Sequence, residues 1–224
     1  MRPPFDPTLY LVTDTELCGP RPVADVVRAA VAGGVTAVQV RDKNASRRDL
    51  LALTRAVQAA VVDAPGVCVV VNDAVDVALL ADADGVHVGQ DDLSVVEVRA
   101  LVGPDRLLGL SVSSRAELDA ALALPTGTLD LVGLSPVWST PTKPDAGPAL
   151  GLAGIRDLAA AARAGGLAAV AIGGISAGRA AEVAATGVDG ICVVSALCTA
   201  ADPTDAARTL RQELGRSRPA EVTR

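Results

Sequence analysis

The sequence predicts an α/β fold in which eight βα units close into one barrel. Short valine-rich runs alternate with longer segments of helical period through most of the 224 residues, which is typical of a parallel sheet joined by helices. Eight such units in this length match a compact TIM (β/α)8 barrel, whereas an open doubly wound sheet usually has fewer strands and a GxGxxG motif, absent here after the first strand. We therefore predict a single-domain TIM barrel over residues 1–215 and a disordered tail over 216–224.

The predicted elements follow one another in regular order. The strands are the apolar, β-branched runs Leu9–Thr13, Ala37–Arg41, Val67–Val71, Gly85–Val88, Leu107–Ser111, Leu129–Leu134, Ala168–Ile172 and Gly190–Val194. The helices are the segments of helical period Pro22–Ala32, Ser46–Asp63, Ala74–Ala81, Ser94–Leu101, Ser114–Leu122, Leu152–Ala164, Ala177–Ala185 and Thr204–Leu214. Ser46 and Ser114 precede acidic residues at capping-box spacing, and Gly33, Gly165 and Gly187 stand where helices should end.

Composition and charge exclude several classes of protein. A net charge of −6 and a pI near 4.8 argue against a nucleic-acid or anionic-membrane partner, so any phosphate site must be local. No apolar run reaches the roughly 18 residues of a membrane span, and the N-terminus lacks the features of a signal peptide. We predict a cytoplasmic protein that acts on small molecules; the sequence indicates no oligomeric state.

The cysteines and the histidine do not form a metal-binding pattern. Cys18, Cys68, Cys192 and Cys198 show no CxxC spacing, so we predict small buried hydrophobic side chains, not a zinc site or a disulfide framework. The sole histidine, His87, stands between two valines. A role in the core or in support of a site is favoured over metal ligation, because a zinc site needs several such ligands.

The segment Val38–Lys43 carries an unusual polar face. In an extended strand Gln39, Arg41 and Lys43 point to the same side. Burying two unpaired cations is prohibitive, so this face must meet an anion or a set of carboxylates. The alternatives are a ligand site and internal salt bridges.

Asp73 and Asp92 follow neighbouring predicted strands, at the edge where a barrel carries its active site. Two carboxylates so placed suit Mg²⁺, which takes few protein oxygens together with substrate phosphate. Taken alone, they could equally cap the helices that follow. The nearby cations Arg41 and Lys43 favour a pyrophosphate site.

Two further segments indicate phosphate binding. The connection after the sixth strand spans about eighteen residues, longer than usual, and its Thr140, Thr142 and Lys143 suggest an active-site flap, with a flexible surface loop as the alternative. Gly173–Gly174 and Ser195 follow the last two strands, the usual phosphate position of this barrel.

In combination these residues resemble the thiamine-phosphate synthase family along nearly the whole chain. The matching motifs are QVRDK (39–43), VND (71–73), GVHVGQDD (85–92), GLS (109–111), TPTK (140–143), IGGI (172–175) and VVSA (193–196). The resemblance implies a transferase that joins hydroxymethylpyrimidine diphosphate to a thiazole phosphate, giving thiamine phosphate and pyrophosphate, with Mg²⁺ as cofactor.

The resemblance also assigns roles to residues. It implies pyrimidine-diphosphate positions for Gln39, Arg41, Lys43, Asn72, Ser111 and Lys143, magnesium positions for Asp73 and Asp92, and thiazole-phosphate positions for Thr140, Thr142, Gly174, Val194 and Ser195. Arg41, Lys43, Lys143 and Ser111 are the predicted catalytic residues. Many relatives carry a histidine where this chain has Ser113.

Two rival functions remain for comparison. A thiazole tautomerase on the same fold would not need Gln39, Arg41 and Lys43 together with Asp73 and Asp92. A phosphate-ligand sensor without turnover is disfavoured by the acidic pair and the flap lysine, and release of pyrophosphate would separate it from the synthase.

Overall fold

A computed structural model describes residues 2–140 and 147–217. Eight parallel strands form a closed barrel in sequence order, and the last pairs with the first. They are β1 (Leu9–Val12), β2 (Ala37–Val40), β3 (Cys68–Asn72), β4 (Gly85–Val88), β5 (Leu107–Val112), β6 (Leu131–Leu134), β7 (Ala168–Ile172) and β8 (Gly190–Val193). The predicted TIM barrel is confirmed, and every strand begins and ends close to its predicted bounds.

Helices surround the barrel. Within the described residues they are α1 (Thr15–Cys18), α2 (Val23–Ala32), α3 (Arg47–Ala60), α4 (Val75–Leu80), α5 (Val95–Val102), α6 (Arg115–Leu122), α7 (Gly151–Ala164), α8 (Ala177–Ala184), α9 (Ser195–Cys198) and α10 (Pro203–Ser217). Sequence analysis did not predict the four-residue helices α1 and α9. Helix α10 includes residues 216 and 217, which we had assigned to the tail; residues 218–224 lie outside the described part.

Local signals account for several helix ends. Ser46 and Ser114 cap α3 and α6 by accepting hydrogen bonds from Asp49 N and Glu117 N, as their spacing predicted. Gly33 and Gly165 end α2 and α7. These caps satisfy backbone groups that a helix end leaves without partners, and so they fix where each helix meets its strand.

The barrel interior is filled mainly by aliphatic side chains and closed at its base by an aromatic pair. Tyr10, Leu131 and Val170 form part of one buried cluster. Phe5 packs edge-on against Tyr10, with ring centroids 5.9 Å apart. Apolar packing at the base leaves the opposite end, where the strands finish, for polar side chains.

Aspartates at the strand beginnings brace that base. Asp84, Asp130 and Asp189 each precede an even-numbered strand, and each accepts a hydrogen bond from a backbone N–H at the start of the preceding strand. Asp130 also pairs with Arg2 at 2.5 Å and with Arg99 at 2.8 Å. This end of the barrel is therefore held by charge-assisted bonds remote from the carboxyl ends.

Candidate active site

A cavity of about 530 Å³ opens at the carboxyl ends of the strands. It is lined by all the predicted site residues that the structure describes, namely Gln39, Arg41, Lys43, Asn72, Asp73, Asp92, Ser111, Thr140, Gly174, Val194 and Ser195. Thr142 and Lys143 lie outside the described residues. The barrel thus brings residues from separate βα units to one place, as the fold requires of an active site.

The polar face after β2 is held by β1 and the loop that follows it. Thr13 Oγ1 accepts a hydrogen bond from Arg41 N at 2.9 Å and donates to Arg41 O at 3.1 Å. The Arg41 guanidinium lies 3.7 Å from the Asp14 carboxylate. Gln39, only 5 % exposed, donates to Tyr10 Oη at 3.4 Å. Arg41 therefore makes an internal ion pair and lines the cavity as well, so both alternatives considered for this segment describe it in part.

Asp73 does not serve as a helix cap. Ala74 is the N-cap of α4 and makes no side-chain capping bond, and Ser94, not Asp92, caps α5. Asp73 has a left-handed backbone with φ 58°, a conformation that aspartate tolerates better than most residues, and Asp73 N donates to His87 O at 2.9 Å. The strand end thus turns this carboxylate to the cavity, and the capping alternative does not apply.

Asp73 and Asp92 form a close carboxylate pair. Partial desolvation, the charge of Asp92 and a hydrogen bond shared with it raise the pKa of Asp73 to about 6, although Asp73 opens onto the cavity. Asp92 is in turn held by Gly89 N, which donates to its Oδ2 at 2.7 Å. Two oxygen ligands that repel one another fit a small divalent cation that keeps most of its other ligands from water or substrate. Within residues 2–140 and 147–217 no third acidic, histidine or cysteine side chain joins them.

The wall formed by β5 contains contacts that sequence analysis did not predict. Ser111 Oγ lies 3.1 Å from His87 Nε2, and Ser111 O accepts a hydrogen bond from Gln90 Nε2 at 2.7 Å. Glu117 also lines the cavity, and its carboxylate accepts bonds from Ser113 N at 2.6 Å and Ser113 Oγ at 2.9 Å. The spacing of Ser114 and Glu117 had suggested a capping box, but the Glu117 side chain turns to Ser113. In the sequence, the adjacent serines Ser113 and Ser114 were the one signal for the contact between Ser113 and Glu117.

The connection from β6 to α7 borders the cavity at both ends of its undescribed part, because Thr140 and Gly147 are lining residues. Its first residues are tied to β7, since Val137 N donates to Ile172 O and Trp138 N donates to Gly173 O. A Cβ at Gly173 would lie 2.8 Å from Pro136 Cβ, so only glycine allows this approach. The loop therefore starts against the strand that carries the predicted phosphate-binding glycines.

The cysteines are buried, as predicted. All four are free and buried. Burial raises the pKa of the Cys68 and Cys192 thiols, which keeps them protonated and unreactive near neutral pH. Cys192 borders the cavity as a small apolar side chain.

The fold and the polar cavity at the strand ends define the class of molecule: a (β/α)8-barrel enzyme whose active site lies where the strands finish. None of the helices in the described ranges is long and apolar enough to cross a membrane.

Comparison with known proteins assigns the family. The family model described as thiamine monophosphate synthase matches residues 9–197. The thiamine-phosphate synthase of Azorhizobium caulinodans is 46 % identical over 215 residues, which cover 96 % of this chain and 98 % of that protein. That of Albidiferax ferrireducens is 47 % identical over 205 residues, covering 91 % and 90 %. The solved thiamine phosphate pyrophosphorylase of Pyrococcus furiosus superposes with a TM-score of 0.82 at 35 % identity, covering 95 % of this chain and 97 % of that one.

The chain therefore belongs to the thiamine monophosphate synthase family and is an enzyme, a transferase of thiamine biosynthesis. The resemblance stated from the motifs is confirmed.

Proposed function

We propose that the chain joins hydroxymethylpyrimidine diphosphate to a thiazole monophosphate or its carboxylated form, giving thiamine phosphate and pyrophosphate. The observation that carries this proposal is the meeting, in one cavity of a barrel of this family, of the Asp73–Asp92 pair with Arg41 and Lys43. An acidic pair and two cations side by side suit a metal-bound diphosphate, which neither group would suit alone. As a cytoplasmic enzyme it would meet both substrates in solution.

The two substrates would occupy opposite sides of the cavity. The pyrimidine diphosphate side would comprise Gln39, Arg41, Lys43, Asn72 and Ser111 on β2, β3 and β5 or just after them. The family resemblance adds Lys143, which lies outside the described residues. The thiazole phosphate side would comprise Thr140, Gly174, Val194 and Ser195, which follow β6, β7 and β8. The family resemblance adds Thr142, which also lies outside the described residues. A cavity of about 530 Å³ lies within the range of small-molecule sites, roughly 300–1,000 Å³, and so has room for two small reactants.

Asp73 and Asp92 would hold the magnesium ion. When bound, Mg²⁺ would neutralise charge on the diphosphate oxygens and so favour the departure of pyrophosphate. The chain prepares this site by holding Asp92 through Gly89 N and Asp73 through the strand end, which keeps the two carboxylates close despite their repulsion.

We propose a dissociative substitution. Loss of pyrophosphate leaves a cation on the methylene carbon, which the electron-rich aminopyrimidine stabilises, and the thiazole nitrogen then bonds to that carbon. The chain needs no nucleophile or strong base. Arg41, held by Thr13 and Asp14, and Lys43 would stabilise the charge that grows on the leaving group, with Lys143 joining from the loop.

The test is to mix the protein with both substrates and Mg²⁺ and to measure pyrophosphate release and product mass, with a chelator-treated sample as control. Magnesium-dependent thiamine phosphate is expected. Folded protein that gives neither product would refute the proposal. Isomerisation of the thiazole phosphate alone would instead indicate a tautomerase, and ligand binding without turnover would indicate a sensor.

A further inference from the structure

His87 occupies an unusual place for a polar side chain. It lies on β4 with 7 % of its surface exposed, on the wall of the barrel interior, and it is not among the residues that line the cavity. Its Nε2 nevertheless lies 3.1 Å from Ser111 Oγ, and Ser111 does line the cavity. The imidazole therefore stands directly behind a side chain predicted to face the pyrimidine.

Two glycines on the neighbouring strands make room for the imidazole. Gly109 on β5 is the register partner of His87, and a Cβ at Gly109 would lie 2.4 Å from His87 Nδ1. Gly133 on β6 is the register partner of Ser111, and a Cβ there would lie 3.1 Å from His87 Cε1. Strands β5 and β6 therefore each carry a glycine, without a side chain, beside the imidazole.

Filling space does not account for this arrangement. An aliphatic side chain at position 87, or on β5 and β6, would fill the same volume without burying a polar ring, and burial of a polar group is unfavourable unless it is hydrogen-bonded. Other positions in the buried clusters of the strands hold aliphatic residues such as Val70 and Leu131, so the barrel accommodates such side chains. The distinguishing property of the imidazole here is its hydrogen bond to Ser111.

A serine hydroxyl rotates freely unless a partner holds it, because it has one donor and two acceptor positions on a single torsion. The Ser111 backbone is already held, since its carbonyl accepts from Gln90 Nε2 at 2.7 Å. A second hydrogen bond joins Ser111 Oγ and His87 Nε2, with the donor set by the imidazole tautomer. It leaves the remaining positions of the hydroxyl directed away from the imidazole, and Ser111 lines the cavity. Side chains fixed in this way interact with a reacting group without first reorganising.

We propose that His87 is a positioning residue that sets the orientation of the Ser111 hydroxyl toward the aminopyrimidine of the bound diphosphate substrate. The inference rests on the proposed function for the identity of that substrate. His87 itself touches neither substrate nor metal in this proposal; it acts through Ser111.

A double-mutant cycle tests this mode of action. We expect His87→Leu, which keeps the approximate volume of the ring, to lower kcat about tenfold, in line with loss of one net hydrogen bond of up to about 1.5 kcal/mol. His87→Gln, whose amide can reach the position of Nε2, should keep kcat within about threefold of the wild type. In a Ser111→Ala background, His87→Leu should cause no further loss, because residues that act through one bond are not additive. Equal losses in both backgrounds, or a Gln variant as impaired as the Leu variant, would overturn the proposal.

Val86→Ala provides a matched control for destabilisation. Val86 is a fully buried neighbour on the same strand but belongs to the core between barrel and helices. The variant should unfold at lower temperature with kcat unchanged. If its kcat falls as far as that of His87→Leu, loss of stability alone explains both.

A substrate-free measurement separates failure of this inference from failure of the proposed function. His87 is the only histidine of the chain, so in untagged protein the imidazole ¹⁵N resonances belong to one residue. We expect Ser111→Ala to shift the Nε2 resonance, and Gly178→Ala, on α8, to leave it in place. If Ser111→Ala leaves the Nε2 chemical shift unchanged, the hydrogen bond is refuted, whether or not the wild type makes thiamine phosphate.

Discussion

Magnesium binding by the acidic pair should weaken at a pH where ordinary aspartates are still ionised. Asp73 has its pKa raised from 3.8 to about 6, by partial desolvation first and then by the charge and hydrogen bond of Asp92. The metal needs the ionised carboxylate, so protons compete with it. At pH 7 about nine-tenths of Asp73 is ionised and at pH 5 about one-tenth, which predicts a roughly tenfold fall in magnesium affinity between these values. An aspartate with a pKa of 3.8 would show almost no change over the same range.

The measurement is a Mg²⁺ titration at several pH values, followed by the ¹³C shift of the Asp73 carboxyl, without substrate because phosphates titrate in the same range. Asp92→Asn should move the Asp73 titration to lower pH, since it removes a negative charge. Asp91→Asn is a matched control, because Asp91 also lines the cavity but is not among the causes of the shift. A wild-type midpoint near 4, or a midpoint that Asp92→Asn does not move, would refute the reasoning.

The same shift has a consequence for stability in the absence of metal. The pKa of Asp73 is higher in the folded protein than its ordinary value, so the folded state binds the proton more tightly. Its contribution to the free energy of unfolding is greatest below about pH 4 and declines as the pH rises through about 6. Added Mg²⁺ should recover stability above that pH, which thermal unfolding with and without a chelator would measure.

Three further predictions concern turnover and packing. Lys143→Ala should lower turnover by about 10²–10³-fold with the melting temperature unchanged, as for loss of a transition-state donor; unchanged turnover would remove Lys143 from the mechanism. Asp130→Asn should lower the free energy of unfolding by about 3–5 kcal/mol in urea titrations, because two arginines lose their carboxylate; a loss under 1 kcal/mol would contradict a structural role. Gly109→Ala should lower the free energy of unfolding by about 1–3 kcal/mol, because the added Cβ crowds His87. Gly178→Ala is the control: its Cβ would meet no atom within 4 Å, so it should not destabilise α8. Equal effects of the two variants would contradict the crowding.

The barrel was predictable because its signals are local and repeated. Each strand is a short β-branched run, and helices such as α3 and α7 carry enough turns for a helical period to appear. The short helices α1 and α9 have a single turn each, too short to show a period, and so they were missed. The start of β6 was placed two residues early because Leu129 is apolar, whereas the following Asp130 is engaged in the ion pairs at the barrel base.

The site was predictable as far as strand ends determine it. Polar residues that end strands must converge in a barrel, which is why Gln39, Asn72, Asp73 and Ser111 were expected together. What spacing could not predict was the direction of individual side chains. Glu117 fits a capping box in sequence but turns to Ser113 instead.

The imidazole and the two glycines beside it also bear on how this barrel tolerates change over evolutionary time. Gly109 and Gly133 leave space that the His87 ring occupies, and a Cβ at Gly109 would lie 2.4 Å from His87 Nδ1. Replacing Gly109 first crowds the histidine, replacing Gly133 first requires the ring to yield by a few tenths of an ångström, and replacing the histidine first leaves a void that a later glycine substitution could fill. The three positions therefore constitute one epistatic unit across β4, β5 and β6, and we expect homologous chains that lack the histidine to carry larger residues at one or both glycine positions.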